Sequence, residues 1–139
     1  AVKLLEENML DYEPELIIYG EGTKIERSFS FFFEMFPPKN YLFYYAGDID
    51  AAGFGILIRL IEKFPDMTIQ PALKIYRKML EFIEQSNDQK IGQSANIVYR
   101  DAFLQWFTEE EQNILLKLWE EKKRIPQEVL TIETWRRWL

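Results

Sequence analysis

The sequence predicts an α/β fold in which a small parallel sheet is flanked by helices and followed by a C-terminal helical extension. Three observations carry this expectation. Between residues 16 and 70, short apolar runs that suit buried strands alternate with longer stretches of helical spacing, and the links between them are short. The run Tyr41-Leu42-Phe43-Tyr44-Tyr45 stops abruptly at Gly47-Asp48-Ile49-Asp50 and passes into a helical pattern, as a strand does at the end of a sheet. From Ala72 onward the apolar residues fall at helical spacing. Strands alternating with helices over short connections imply parallel pairing through right-handed crossovers, a Rossmann-like layer.

Each element has its own signal. Val2, Leu5 and Met9 recur at helical spacing, and 11–14 then supplies a turn. Leu16-Ile17-Ile18-Tyr19, bounded by Pro14 and Gly20, reads as a buried parallel strand, and Gly20-Glu21-Gly22 as a flexible turn. Ile25, Phe29, Phe32, Phe33 and Phe36 share one broad helical face, which Pro37-Pro38 ends. After the strand 41–45 comes a helix over Ala51–Lys63, with Phe54, Leu57, Ile58, Ile61 and Phe64 against the sheet. Met67–Gln70 is the third expected strand.

The extension starts with a helix over 72–84 carrying Leu73, Tyr76, Met79, Leu80 and Ile83 inward, then a polar loop over 85–94. A helix over 97–107 buries Val98, Ala102 and Trp106. Thr108 with Glu111 three residues on is a capping box, opening a helix through Leu115, Leu118 and Trp119 to Lys123. Pro126 suits the first turn of a short helix, and Thr131 caps a last segment. The four tryptophans, Trp106, Trp119, Trp135 and Trp138, read as core or subunit-interface residues. We expect residues 1–84 to form the α/β core and 85–139 an extension packed on it. A start at Ala1, within a helical pattern, suggests the C-terminal piece of a longer protein with part of the core upstream.

Composition narrows the chemistry. The 139 residues, 47% hydrophobic and 16% aromatic, suffice for one core. With no cysteine and no histidine, disulfides, thiolate nucleophiles, zinc-thiolate sites and imidazole bases are excluded, leaving carboxylates, backbone amides and cations. A net charge of -6 argues against a free-standing DNA-binding module without excluding DNA as a partner. No apolar run is long enough to span a bilayer and no signal peptide shows, so a soluble cytoplasmic protein is expected.

Asp48 and Asp50 are the sharpest candidates. If the chain stays extended through Ile49, both carboxylates leave the same side of the backbone, and two such anions repel unless a cation lies between them. In a chain without histidine or cysteine the fitting metal is hard and oxygen-loving, Mg²⁺ or Mn²⁺. The plainer alternatives are a solvated strand-end carboxylate for Asp48 and a helix N-cap for Asp50. On the metal reading, Asp50→Ala abolishes cation binding and spares the fold; a loss of stability points to the cap. Side chains splayed in opposite directions, or locked onto neighbouring lysines and arginines, count against the metal pair and against any nuclease reading built on it. Lys74, Arg77 and Lys78 share a helix face that either touches phosphate or is merely solvated. Arg124, Arg136 and Arg137 form a small basic end that faces nucleic acid or a partner subunit.

The segment 44–60, Tyr-Tyr-Ala-Gly-Asp-Ile-Asp-Ala-Ala-Gly-Phe-Gly-Ile-Leu-Ile-Arg-Leu, resembles the Asp-x-Asp segment of the Toprim fold. It is most similar to the C-terminal domain of the JetD family, the nuclease subunit of Wadjet plasmid defence, itself related to the A subunit of type IIB topoisomerases. The run 16–22 resembles a strand and Gly-rich turn of that family, and Arg124-Ile125-Pro126-Gln127-Glu128 is similar to a Gln-Glu motif near its end. The resemblance implies a Mg²⁺- or Mn²⁺-dependent DNA endonuclease that works by phosphodiester hydrolysis, with Asp48 and Asp50 on the metal. It also implies a catalytic glutamate, either Glu21 or one upstream of Ala1, and Glu128 near the metal or on the surface. DNA reached through the full-length protein, SMC-like subunits and a possible homodimer are the implied partners. No tyrosine is assigned as nucleophile. Two alternatives stand beside this: a non-catalytic Toprim-like interaction domain, and a haloacid-dehalogenase-type phosphotransferase, which Ala51-Ala52-Gly53 suits poorly.

Overall fold

Two serines interrupt what the apolar spacing predicts as one helix over 25–36. In the computed structural model, which describes residues 16, 18, 20–37, 40–92 and 96–131, α1 (Ile25–Ser28) and α2 (Phe32–Met35) are separated by a 3-10 turn, Phe29–Phe31. Ser28 Oγ donates back to Lys24 O at 3.1 Å and Ser30 Oγ to Arg27 O at 2.6 Å, a competition for carbonyls that tightens helices. The apolar face survives the interruption. Phe29 meets Phe43 edge-on at 4.8 Å and Phe64 at 5.2 Å, while Phe32 stacks on Phe36 at 4.8 Å. Of the expected strand 16–19, Leu16 and Ile18 are described; neither is in a strand, and they are 45% and 43% exposed. The expected helix over 1–10, the segment capped by Thr131, and Trp135, Arg136, Arg137 and Trp138 lie outside the described residues.

The fold is α/β, built on β1 (Leu42–Tyr45) and β2 (Thr68–Pro71), which pair in parallel from Leu42 opposite Thr68 to Tyr45 opposite Pro71. The crossover helix α3 (Ala51–Lys63) has the limits its sequence predicts, and buries Gly53 through Ile58 together with Leu60. Such near-continuous burial reflects cover by several neighbours: α3 packs against β2, α1 and α5 (below). Arg59 clamps α3 to α1, with Nε and Nη2 donating to the two oxygens of Glu26 at 2.7 and 3.1 Å. Pro71 lies inside β2 rather than after it. It is the last residue of the strand, where its missing N–H is harmless, and Ala72 N–H resumes bonding to Tyr45 O at 2.7 Å.

α4 (Leu73–Leu80) buries Tyr76 and Met79 fully, then tightens into a 3-10 turn, Ile83–Gln85, which leaves Ile83 36% exposed instead of inward. The polar loop that follows contains β3 (Asn87–Asp88), a strand too short to show a sequence pattern. α5 (Ile97–Leu104) is capped by Asn96 Oδ1, which accepts from Val98 and Tyr99 N–H at 2.9 and 3.2 Å. That capped first turn carries Val98 outward, 71% exposed against the expectation of burial, while Phe103 and Leu104 enter the core.

α6 (Glu109–Glu120) has its capping box: Glu111 N–H donates to Thr108 Oγ1 at 3.2 Å, and Thr108 N–H to Glu111 Oε1 at 2.9 Å. The helix ends before Lys123 because Lys122 turns left-handed, φ 55°, and redirects the chain into β4 (Lys123–Arg124), antiparallel to β3. Trp119 packs on Phe54 and Phe103, and Trp106 lies half-buried against the same core. One buried cluster runs from Ile25 to Val129 and draws on both 1–84 and 85–139. No helix among the described residues is long and apolar enough to cross a membrane.

Arg77 ties α4 to α6 through Glu111, with Nε and Nη2 at 2.8 and 3.2 Å from its two oxygens, and this ion pair holds the carboxyl below its usual 4.5. A depressed carboxylate stabilises the fold above the ordinary glutamate range and loses that contribution as pH falls through the lowered value. Melting curves between about pH 7 and about pH 3 are therefore expected to fall at the acid end, and Glu111→Gln to flatten part of that fall.

Candidate functional site

The chain leaves β1 at Tyr45 and stays extended past Ile49, because Ile49 is held as a strand. Its N–H donates to Ile125 O at 2.8 Å, Ile125 N–H donates back at 3.4 Å, and both side chains are buried. With Ile49 pinned and turned inward, Asp48 and Asp50 lie on the same side, as their spacing predicts. They converge on one group, the guanidinium of Arg124. Asp48 Oδ2 accepts from Arg124 Nη2 at 2.9 Å, and Asp50 Oδ2 lies 3.2 Å from Arg124 Nε. The remaining oxygens take backbone donors: Asp48 Oδ1 accepts from Gln127 N–H at 2.9 Å, and Asp50 Oδ1 from Gly53 N–H at 2.7 Å.

Asp50 is thus the N-cap of α3, the plainer alternative its sequence position offered, and a partner in a buried ion cluster as well. It is 1% exposed and Arg124 is 8% exposed. Asp50 and Arg124 face one another in this buried setting, with the partly exposed Asp48 completing the cluster. Arg124 comes from the basic end expected to face nucleic acid or a partner subunit, and the fold turns it inward.

Two tyrosines support the loop from below. Gly47 N–H donates to Tyr76 Oη at 3.1 Å, and Tyr45 Oη donates to Gly53 O at 3.2 Å. Burial, with the nearby aspartates adding to it, pushes both phenols well above their ordinary range. Hydrogen-bonded to the backbone at Gly47 and Gly53, they prop the loop. The packing leaves no room for side chains at the glycines: a Cβ on Gly47 would lie 2.6 Å from Tyr45 Oη, and one on Gly53 2.1 Å from Asp48 O.

No described contact joins the other candidate residues to this pair, although Glu128 follows Gln127, whose N–H holds Asp48. Glu21 occupies a left-handed turn, φ 49°, exposed, and pairs with Lys24 at 2.7 Å. Glu128 is exposed on the 3-10 turn Gln127–Val129. Among the described residues no three acidic, histidine or cysteine side chains gather closely enough to cage a metal. On α4, Arg77 is engaged by Glu111 and Lys78 lies 3.5 Å from Glu81, while Lys74 is half-buried. That face is a set of ion pairs as much as a phosphate-binding strip.

The pair suits a hard divalent ion in the chemistry of its donors, two convergent carboxylates, which is as many as Mg²⁺ commonly takes from a protein. The two aspartates are locked onto an arginine, the outcome stated above to count against a metal pair: the guanidinium stands where the carboxylates converge and already supplies the positive charge. With the guanidinium between the two carboxylates, a divalent ion does not fit the pair in this arrangement.

The family model described as Wadjet protein JetD, C-terminal, matches residues 6–139. The chain belongs to this family. Membership in the JetD C-terminal family ties it to Wadjet anti-plasmid defence. The match spans β1, the Asp48–Asp50 loop, α3 and the 124–128 segment, so the closed acidic pair lies within the JetD C-terminal region. No curated protein and no solved structure matches the chain.

Proposed function

We propose that this chain is the part of a JetD protein that cleaves plasmid DNA by phosphodiester hydrolysis, using Asp48 and Asp50 as a Toprim-like acidic pair for Mg²⁺ or Mn²⁺. The observation that carries the reading is the convergence of the two carboxylates on one positive charge, the Arg124 guanidinium, just beyond the end of β1, the edge at which open α/β sheets bind ligands. When bound, the metal supplies Lewis-acid stabilisation of charge on the phosphate and the departing oxygen. The chain's own residues fix the geometry. Ile49 holds the backbone extended, Gly53 N–H orients Asp50, Gln127 N–H orients Asp48, and the tyrosines keep the loop from collapsing. The third carboxylate that serves as general acid or base comes from outside the described residues, because Glu21 does not stand with the pair. DNA is presented by SMC-like partner subunits and by the remainder of the JetD protein.

One observation favours a second reading, a non-catalytic interaction domain: the protein's own arginine already neutralises the pair. Plasmid cleavage by the assembled defence complex separates the two. With Asp48→Asn in its JetD subunit, cleavage is expected to fall at least about a hundredfold, the order of effect that losing a metal's charge stabilisation has on rate. Unchanged cleavage supports the second reading.

A further inference from the structure

We infer that Asp48 and Asp50 form one half of a metal-independent clasp whose other half is the segment 124–127, so that the C-terminal part of the chain completes the loop after β1 instead of merely packing on it. This rests on the observation behind the second reading, that the arginine neutralises the pair. The first support is continuity. Three successive residues after β1 are all tied to the same distant segment: Asp48 to Arg124 Nη2 and to Gln127 N–H, both at 2.9 Å, Ile49 to Ile125 in both directions, and Asp50 Oδ2 to Arg124 Nε at 3.2 Å. The two bonds of Asp48 span 76 and 79 residues of sequence.

The second support is the set of donors. Every carboxylate oxygen of the pair already faces one: Arg124 and Gln127 N–H at Asp48, Arg124 and Gly53 N–H at Asp50. A divalent ion would have to replace such donors, and among the described residues no third acidic side chain stands close enough to help it do so. The third is anchorage. Ile125, beside the arginine, is fully buried, and Val129 beyond it is buried too, both in the core cluster that holds Ile49. Arg59 and Arg77 fork onto single carboxylates nearer the surface, with side chains 39% and 46% exposed against 10% for Arg124. A surface ion pair contributes little, whereas a buried one is costly to break and fixes which residues meet. The clasp thereby sets the register in which 124–127 lies against the loop.

Nuclear magnetic resonance of the full, unaltered chain with added Mn²⁺ tests the clasp. The amide signals of Gly53 and Gln127, whose N–H groups hold the two aspartates, are expected to broaden no more than those of the exposed Glu109 and Glu110. The melting temperature is expected to be the same in excess Mg²⁺ as in chelator, since an ion bound by the folded state would raise it. Selective broadening of Gly53 and Gln127, or a rise with Mg²⁺ that Asp50→Asn removes, overturns the proposal. Arg124→Gln is expected to lower the melting temperature by about 10 °C or more, the shift that follows from breaking a buried ion pair in a domain of this size, or to prevent folding. An unchanged melting temperature in that variant also overturns it. If Asp48→Asn abolishes plasmid cleavage while Mn²⁺ spares both amides, the clasp stands and the non-catalytic reading falls. If Mn²⁺ reaches the pair while cleavage is unchanged, the clasp falls alone.

Discussion

Gly53→Ala is expected to destabilise the chain by about 3 kcal/mol or more, the upper range of overpacking effects, as read from urea unfolding. A Cβ at this position would lie 2.1 Å from the carbonyl oxygen of Asp48 and 3.2 Å from Asp50 Oδ1. The obstacle is backbone that cannot rotate away, because Ile49, one residue on, is hydrogen-bonded in both directions to Ile125. Relief requires α3 to shift along its axis, which breaks the Asp50 cap and disturbs the Tyr45 contact with Gly53 O. Gly55→Ala is the matched control two residues further along the same helix. There the nearest atom, 2.9 Å away, is Nη1 of Arg59, the end of a flexible side chain, and alanine is the better helix former. Its cost is expected to stay within about 1 kcal/mol.

Asp50→Ala is expected to cost about 3 kcal/mol, reversing the expectation from sequence that the fold would be spared. Two losses combine. The N-cap of α3 goes, worth about 1 kcal/mol in typical helices, and Arg124 is left buried with one of its two anions missing. Asp50→Asn separates them, since an asparagine oxygen still accepts from Gly53 N–H while carrying no charge. About 1 kcal/mol of the loss should therefore return in Asp50→Asn. Thermal unfolding of the two variants checks both figures, and equal losses would mean that the cap contributes nothing.

What the sequence made legible was local. The limits of α3 follow from an aspartate able to cap it, an unbroken apolar face and Pro65 beyond it; Thr108 and Glu111 fix the start of α6 in the same way. The convergence of Asp48 and Asp50 was legible too, from their spacing across an extended residue. Its partner was not. Arg124 closes the run Glu120-Glu121-Lys122-Lys123-Arg124, which on composition alone is a solvated stretch, and only a pairing across 76 residues turns it inward. One signal was available: two neighbouring aspartates in a histidine-free chain call for a cation, and an arginine followed by Ile125-Pro126 leads into the core. The pairing of β3 with β4 and the outward Val98 depend on tertiary contacts that periodicity does not encode. The break at Phe29–Phe31 was readable from Ser28 and Ser30, whose hydroxyls compete for helix carbonyls.

The pair itself can be examined by anomalous diffraction from crystals of this chain grown with Mn²⁺. If the pair is a metal site, an anomalous peak is expected between the carboxylates of Asp48 and Asp50. Crystals saturated with Mn²⁺ that show no peak there and Arg124 still bridging the aspartates would contradict it.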